Sequence, residues 1–313
     1  MTSPLVIGID IGGTNTDMGL VSSKGKIERR ISIGTTEFAE IDSYIDAIET
    51  AIRQLLNAEG VGSVAGIGIG APNGNFYTGT VADAPNLPFK GEIKLKEIFE
   101  SRFHCPVVVT NDANAAAYGE KVYGGAQNMS DFILVTLGTG VGSGIVVHNQ
   151  LLYGSDGFAG ELGHCTLIPE GRLCSCGNRG CLEEYASARG ICQNYRELCR
   201  NRGVQGKLNP DTVDCKSLAA AADAGDEMAI RAWTETGRLL GIALANAALF
   251  SSPQAVFLMG GPVKAGHWLL EPAKQSFNDH LLPSLKNKIP LLISSLPAND
   301  VAILGAAALV SSL

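Results

Sequence analysis

Gly160-Glu161-Leu162-Gly163-His164, followed by Cys174, Cys176 and Cys181, places one imidazole and three thiols at the spacing His-x9-Cys-x-Cys-x4-Cys. An acid precedes the ligands (Glu161) and another follows them (Glu183). Zinc takes four such ligands in a tetrahedron, and a closed set of one His and three Cys leaves no position for a catalytic water. A structural zinc that shapes a loop is therefore expected, held by His164, Cys174, Cys176 and Cys181. Taken singly, Glu161 and Glu183 read equally well as surface acids. Beside an ordered loop they can also accept hydrogen bonds from the hydroxyls of a sugar. His164 can serve both sides, one ring nitrogen toward a metal and the other toward a ligand.

Two glycine turns carry a second kind of chemistry. In Asp10-Ile-Gly12-Gly13-Thr14-Asn15 and in Gly138-Thr139-Gly140-Val-Gly142-Ser-Gly144, backbone N–H groups can approach phosphate oxygens and threonine adds a hydroxyl donor. Asp10, at the end of an apolar run, can hold a magnesium ion. Neither turn is a Walker loop, since no Gly-Lys-Ser/Thr follows, and neither matches Gly-x-Gly-x-x-Gly. A tight hairpin alone explains either turn; two in register favour an anion cradle. Asn111-Asp112 follows the apolar run Val107–Thr110 at the start of a predicted helix. Asp112 there reads as an N-cap or as a general base that takes a proton from an attacking hydroxyl, with Asn111 fixing a neighbouring hydroxyl. Pro85-Asn86-Leu87-Pro88 is a stiff turn that can aim Asn86 at a ligand.

The elements that must position these residues follow from periodicity. Leu5–Val21 and Phe132–Val147 share one plan, an apolar β-branched run, a glycine-threonine turn and a second apolar run, so each reads as a β-hairpin and the chain as two related halves. Ile41, Tyr44, Ile45, Ile48, Ile52, Leu55 and Leu56 keep the spacing of one buried helix face. The Ala-rich stretches Asp112–Tyr123 and Ser217–Phe250 read as helical. Val64–Gly70, Val107–Thr110 and Ala255–Met259 read as buried strands, and residues 200–215 as an exposed loop. A mixed α/β fold in two domains is expected, with a boundary near Gly124-Gly125.

Composition narrows the function classes. The chain has 313 residues, 45% apolar and 18% charged, with a net charge of −7, which suits a globular protein with ample core. No basic stripe is visible, so nucleic acid is an unexpected partner. No apolar run approaches the ~18 residues that span a membrane. The segment Leu5–Ile9 is too short for a signal peptide and runs into Asp10, so a cytoplasmic location is expected. The chain has eight cysteines. Three belong to the zinc pattern, while Cys105, Cys165, Cys192, Cys199 and Cys215 are expected as buried or half-buried small residues. The 38 glycines cluster around the turns described above, which points to close backbone approach and not to a flexible linker.

Taken together, Asp10-x-Gly-Gly-Thr, Asn111-Asp112, Leu137-Gly-Thr-Gly-Val-Gly, Gly160-Glu-Leu-Gly-His164 and Cys174-x-Cys-Gly-x2-Gly-Cys-Leu-Glu183 resemble the ROK family (repressors, open reading frames and kinases), specifically its sugar kinases, and among these the glucokinases. The resemblance covers nearly the whole chain. It implies a duplicated actin-like, ribonuclease-H-like α/β fold, with residues 1–123 as one lobe and 124–300 as the other. It places the zinc segment 164–181 in the second lobe, a final helix at 301–313 packed back on the first, and ATP in the cleft between lobes. It implies Asp112 as the base for the sugar 6-hydroxyl and Asn86, Asn111, Asp112, Glu161, His164 and Glu183 as sugar ligands. Asp10, Gly12, Gly13, Thr14, Asn15, Gly138, Thr139, Gly140 and Gly142 are implied as phosphate and magnesium binders, with Gly260 and Gly261 near the adenosine. A homodimer is usual among similar kinases. N-acetylmannosamine, mannose and fructose kinases share most of this set. The family's repressors carry a DNA-binding segment before the first glycine motif, for which the nine residues ahead of Asp10 leave no expected room. The chain departs from the family at Pro72-Asn73-Gly74-Asn75, a loop that touches sugar in relatives, and at Pro262, where many relatives have glycine.

Overall fold

The computed structural model describes residues 5–84, 86–202 and 206–312. Pro85 of the stiff turn, and part of the loop expected at 200–215, lie outside the described residues. The chain divides into two compact units, one of Met1–Ser130, Gly144–Ala159 and Ser295–Leu313, the other of Asp131–Ser143 and Gly160–Ser294.

The main strands of the first unit are β1 (Val6–Ile11), β2 (Asn15–Val21), β3 (Ile27–Gly34), β4 (Ile67–Gly70) and β8 (Val107–Thr110). They form one sheet in the order β3-β2-β1-β4-β8. β1 and β2 make the expected hairpin, in a register that sets Asp10 opposite Asp17, while β4 runs parallel to β1 and β8 parallel to β4. The strand expected from Val64 begins only at Ile67. The helix α1 (Ile41–Ala58) connects β3 to β4. Between β4 and β8 lie a small sheet of β5 (Gly74–Asn75), β6 (Thr80–Ala82) and β7 (Glu92–Ile93), and the helix α2 (Leu95–Phe103).

Alternation along β1 decides what covers each face. Ile7, Ile9 and Ile11 join Ile67, Ile69 and the Tyr44, Ile45, Ile48, Ile52 and Leu55 face of α1 in one core cluster. On the opposite face the sheet offers Gly8, Gly19 and Gly68. A Cβ at Gly8 would lie 2.2 Å from the Ile303 carbonyl oxygen, and one at Gly68 1.8 Å from that of Ala306. The bare glycine stripe thus lets α9 (Val301–Ala308) lie directly on the sheet, where it also packs on α3 (Asp112–Tyr123).

The second sheet comprises β9 (Phe132–Leu137), β10 (Val141–Val147), β11 (Gln150–Leu151), β12 (Ala255–Gly260) and β13 (Leu291–Ile293), of which β11 and β10 from Gly144 onward fall among the residues of the first unit. They form a sheet in the order β11-β10-β9-β12-β13, the same plan as the first. β12 runs parallel to both β9 and β13. The duplication legible in the two glycine hairpins therefore extends to whole sheets.

The helices of the second unit are α4 (Glu183–Ala186), α5 (Ala188–Arg202), α6 (Cys215–Asp223), α7 (Glu227–Ser251) and α8 (His267–His280). The stretch Ser217–Phe250 is two helices and not one. Gly225 takes a left-handed φ of 76°, and Asp226 caps α7 by accepting from the Met228 and Ala229 N–H groups. The region 200–215 is also less of a loop than expected: α5 runs to Arg202, Val213 is buried and α6 starts at Cys215. Cys165 is exposed, contrary to expectation, whereas Cys192 and Cys199 are buried and Cys105 and Cys215 half-buried. No described helix is long and apolar enough to cross a membrane.

Candidate active site

In the first unit the acids sit at strand ends. Asp10 closes β1 beside Gly70 of β4, and Asp112 opens α3 just after β8. A Cβ on Gly70 would lie 3.7 Å from the Asp112 Cα and 3.8 Å from the Asp10 Oδ1, so the two acids flank the same glycine. Burial, with the negative charges of Asp112 and Asp17, pushes the Asp10 carboxyl up to about 7. Acids gathered in this way suit a cation, and oxygen ligands of this kind suit magnesium.

Asp112 is reachable by solvent, yet desolvation raises its carboxyl above the usual range. The Ala113 N–H, which donates to its Oδ1 at 2.9 Å, pulls the other way. The N-cap of α3 is Asn111, whose side chain accepts from the Asn114 N–H at 2.7 Å. With Asn111 doing the capping, Asp112 is not needed for it.

The first glycine turn closes through the Gly12 N–H to the Asn15 carbonyl at 2.9 Å, and the Thr35 hydroxyl donates to the Gly12 carbonyl at 2.8 Å. Beneath it Thr16, Thr35 and Tyr44 share buried hydroxyl hydrogen bonds. Thr14 and Asn15 are exposed. Asn86, also exposed, lies against this turn: a Cβ at Gly13 would stand 2.6 Å from its carbonyl oxygen. The side chains of Asn73 and Asn75 are engaged in the fold. Asn73 Nδ2 donates to the Ala82 carbonyl, and Asn75 Nδ2 to the Asp156 carbonyl at 2.6 Å, while Asn75 Oδ1 accepts from Tyr77 N–H.

In the second unit Gly138 and Thr139 are exposed at the tip of their turn. The Gly142 N–H donates to the Thr136 hydroxyl, and the Val141 N–H to Glu183 Oε2 at 3.0 Å. Glu183 thus commits one carboxylate oxygen to the turn, and a Cβ at Gly140 would come within 2.5 Å of that oxygen. Ser143 donates its hydroxyl to the Gly160 carbonyl, tying the same hairpin to the segment that carries Glu161. Glu161 is exposed, and its carbonyl accepts from the His164 N–H.

The expected metal ligands converge. One ligand atom each from His164, Cys174, Cys176 and Cys181 lies within 4.8 Å of the others. His164 Nδ1 stands 3.7 Å from Cys174 Sγ, and Cys176 Sγ 3.7 Å from Cys181 Sγ. The knuckle forms because the Cys174 N–H donates to the Asn178 carbonyl and the Gly177 N–H returns to the Cys174 carbonyl. Burial raises the Cys174 thiol and pushes Cys181 up to about 12, while the Asn178 N–H lowers Cys176. Thiols held this close resist ionising together, and a divalent cation is the group that reconciles them. With Nδ1 turned to this cluster, Nε2 of His164 is the ring atom left for a ligand.

Two features had no motif to announce them. Arg172 rivets the cysteine loop to α4 and α5: its guanidinium bonds both Glu197 oxygens and lies 4.5 Å from the Tyr185 ring centroid. The second is a cavity of about 640 Å³, lined by residues that include Ala188 and Cys192 of α5, Cys215 of α6, Trp233 of α7, and Gly261 and Pro262 after β12. The Ala188 N–H donates to the Gly138 carbonyl at 2.8 Å, so the wall of the cavity begins at the second glycine turn. Pro262 opens a short 3-10 turn at its first position, which proline's fixed φ suits. The buried Trp233 indole N–H has no acceptor among the described residues.

Comparison with known proteins identifies the family. The ROK family model matches residues 6–312. A glucokinase of Streptomyces coelicolor is 35% identical over 97% of this chain and 96% of its own. A xylose repressor of Caldicellulosiruptor bescii is 31% identical over 98% of this chain but 78% of its own. The crystal structure of a ROK family glucokinase from Streptomyces griseus, in complex with glucose and AMPPNP, superposes with a TM-score of 0.79 at 35% identity, covering 99% of this chain and 100% of that one. By its sequence, its duplicated sheets and these relatives, the chain belongs to the ROK family.

Proposed function

We propose that this chain is an ATP-dependent hexose kinase that phosphorylates glucose at its 6-hydroxyl, with Asp112 as the general base. The observation that carries the reading is Asp112 itself, an accessible, desolvated carboxylate at a helix start that is capped by its neighbour. In the reaction the Asp112 carboxylate accepts the proton of the 6-hydroxyl as that oxygen bonds to the γ-phosphorus and the bond to the ADP oxygen breaks. Asn86, Asn111, Glu161, His164 Nε2 and the second oxygen of Glu183 hold the remaining sugar hydroxyls.

The cavity beside Gly261 and Pro262 takes the nucleoside. The phosphates engage Gly138–Gly142, and the turn Gly12–Asn15 is a second phosphate binder. The continuity between that cavity and the second glycine turn supports this assignment. Asp10 would hold magnesium, which neutralises charge on the phosphates when bound. His164, Cys174, Cys176 and Cys181 would hold a structural zinc that keeps Glu161, His164 and Glu183 in place. A cytoplasmic homodimer is the proposed working form.

A sugar-responsive sensor is the second reading, favoured by the likeness to xylose repressors. The discriminating experiment is a coupled ADP-release assay with MgATP against glucose, mannose, fructose, N-acetylglucosamine and N-acetylmannosamine. Turnover strongest with glucose supports the proposal, and preference for another sugar moves the substrate while keeping the mechanism. Sugar binding with no turnover on any sugar overturns the kinase reading in favour of the sensor. Because desolvation raises the Asp112 carboxyl, the acid limb of kcat should lie above the ordinary carboxylate range; activity should fall as pH drops through that raised value.

A further inference from the structure

The wall of the 640 Å³ cavity contains two cysteines that the proposed chemistry does not use. Cys192 lies on α5, buried at 6% exposure; Cys215 is the first residue of α6 and half-buried. Cys215 Sγ reaches the Ala188 carbonyl at 3.6 Å, and Ala188 lies one helical turn before Cys192 on α5, so the two cysteines meet on one stretch of the cavity wall. Arg196 faces the cavity from α5, Lys216 from α6 and Lys264 from the turn after β12, against Asp214 in the lining, while Arg189 lines it paired with Glu184. A positive surround of this kind favours the thiolate, the reactive form of cysteine. The neighbouring Cys215 and the Arg196 charge draw the Cys192 thiol below its ordinary value, whereas Cys192 and burial hold Cys215 above it. With Arg196 one helical turn beyond it on α5, Cys192 is placed as the attacking thiolate and Cys215 as the resolving thiol.

We propose that Cys192 and Cys215 are a hydroperoxide-sensitive dithiol, a modification site that closes to a disulfide tying α5 to α6 across the cavity wall. The Cys192 thiolate attacks the distal peroxide oxygen; the S–O bond forms, the O–O bond breaks, and the departing oxygen leaves as water or an alcohol after taking a proton. Cys215 then gives up its proton and attacks the resulting sulfenic sulfur, forming the S–S bond and releasing water. In sum, two thiols lose two hydrogens and one hydroperoxide is reduced. Where the cavity holds nucleoside, as the proposed function has it, a bound nucleotide shields the pair.

The test is graded hydrogen peroxide on the reduced full-length chain, with peptide mapping by mass, with and without MgADP. A Cys192–Cys215 cross-linked peptide should form about tenfold faster than Cys105 or Cys199 is modified, and a dithiol reductant should reverse it. In Cys215→Ser, Cys192 should stop at the sulfenic acid and be trapped by a carbon nucleophile such as dimedone. Both thiols persisting while Cys105 or Cys199 oxidises, or Cys192 oxidising to the sulfinic acid beside an intact Cys215, would overturn the proposal. MgADP should slow bridging about tenfold. Bridging at an equal rate with nucleotide present leaves the dithiol standing and removes the nucleoside from this cavity.

Discussion

Asp10 costs the fold stability when ionised, because it is buried beside Asp112 and Asp17. Its carboxyl lies near 7 in the folded chain against 3.8 ordinarily. Between those values the unfolded chain has released its proton while the folded one retains it, so stability falls as pH rises and the full penalty is present above 7. Asp10→Asn should therefore stabilise the cation-free protein by about 2 kcal/mol at pH 8, with the gain vanishing near pH 4. Thermal melts across pH without magnesium check this, and equal gains at both ends would contradict it. The same variant should lose turnover. At the metal cluster, Cys176→Ser removes one of four converging ligands. The purified variant should carry less zinc and show a raised apparent constant for glucose, since the loop bearing His164 loosens. An unchanged constant in a zinc-free protein would sink the zinc assignment.

At the scale of elements, glycine does two different jobs, and substitutions separate them. On the face of the first sheet, Gly68 meets the backbone of α9, which cannot step aside. Gly68→Ala should cost about 3 kcal/mol of stability, an overpacking effect that denaturant unfolding would read. At Gly140 the nearest atom is the tip of Glu183, which can rotate away. Gly140→Ala should cost under about 1 kcal/mol, yet weaken kcat/KM because the displaced carboxylate leaves the Val141 N–H unpaired. A Gly140→Ala variant as unstable as Gly68→Ala, with normal kinetics, would reverse that account. These glycines also mark the limit of legibility. The hairpins, α1 and the capped start of α3 are readable because each is written in adjacent residues. The stripe of Gly8, Gly19 and Gly68 is not, because it exists only once three strands and a distant helix meet. The break at Gly225-Asp226 is hidden inside an alanine-rich run whose apolar character continues on both sides.

For the whole molecule, duplication is the organising fact. Each sheet contains a hairpin with a glycine turn, and the two hairpins follow one plan that is legible in the sequence alone. The convergence of His164, Cys174, Cys176 and Cys181 is equally legible, since their spacing over a short segment is one that a tetrahedral site uses. The cavity is not, because it draws on α5, α6, α7 and the turn after β12. Nor is the division of labour in which Asn111 caps α3 and frees Asp112. That division is the centre of the proposed mechanism, and Asp112→Asn tests it most directly. Calorimetry should find glucose bound within about threefold of the parent affinity, while single-turnover phosphorylation with saturating MgATP falls by about 10³-fold or more. A variant that keeps more than about a tenth of the parent rate while binding glucose normally would show that Asp112 is not the base.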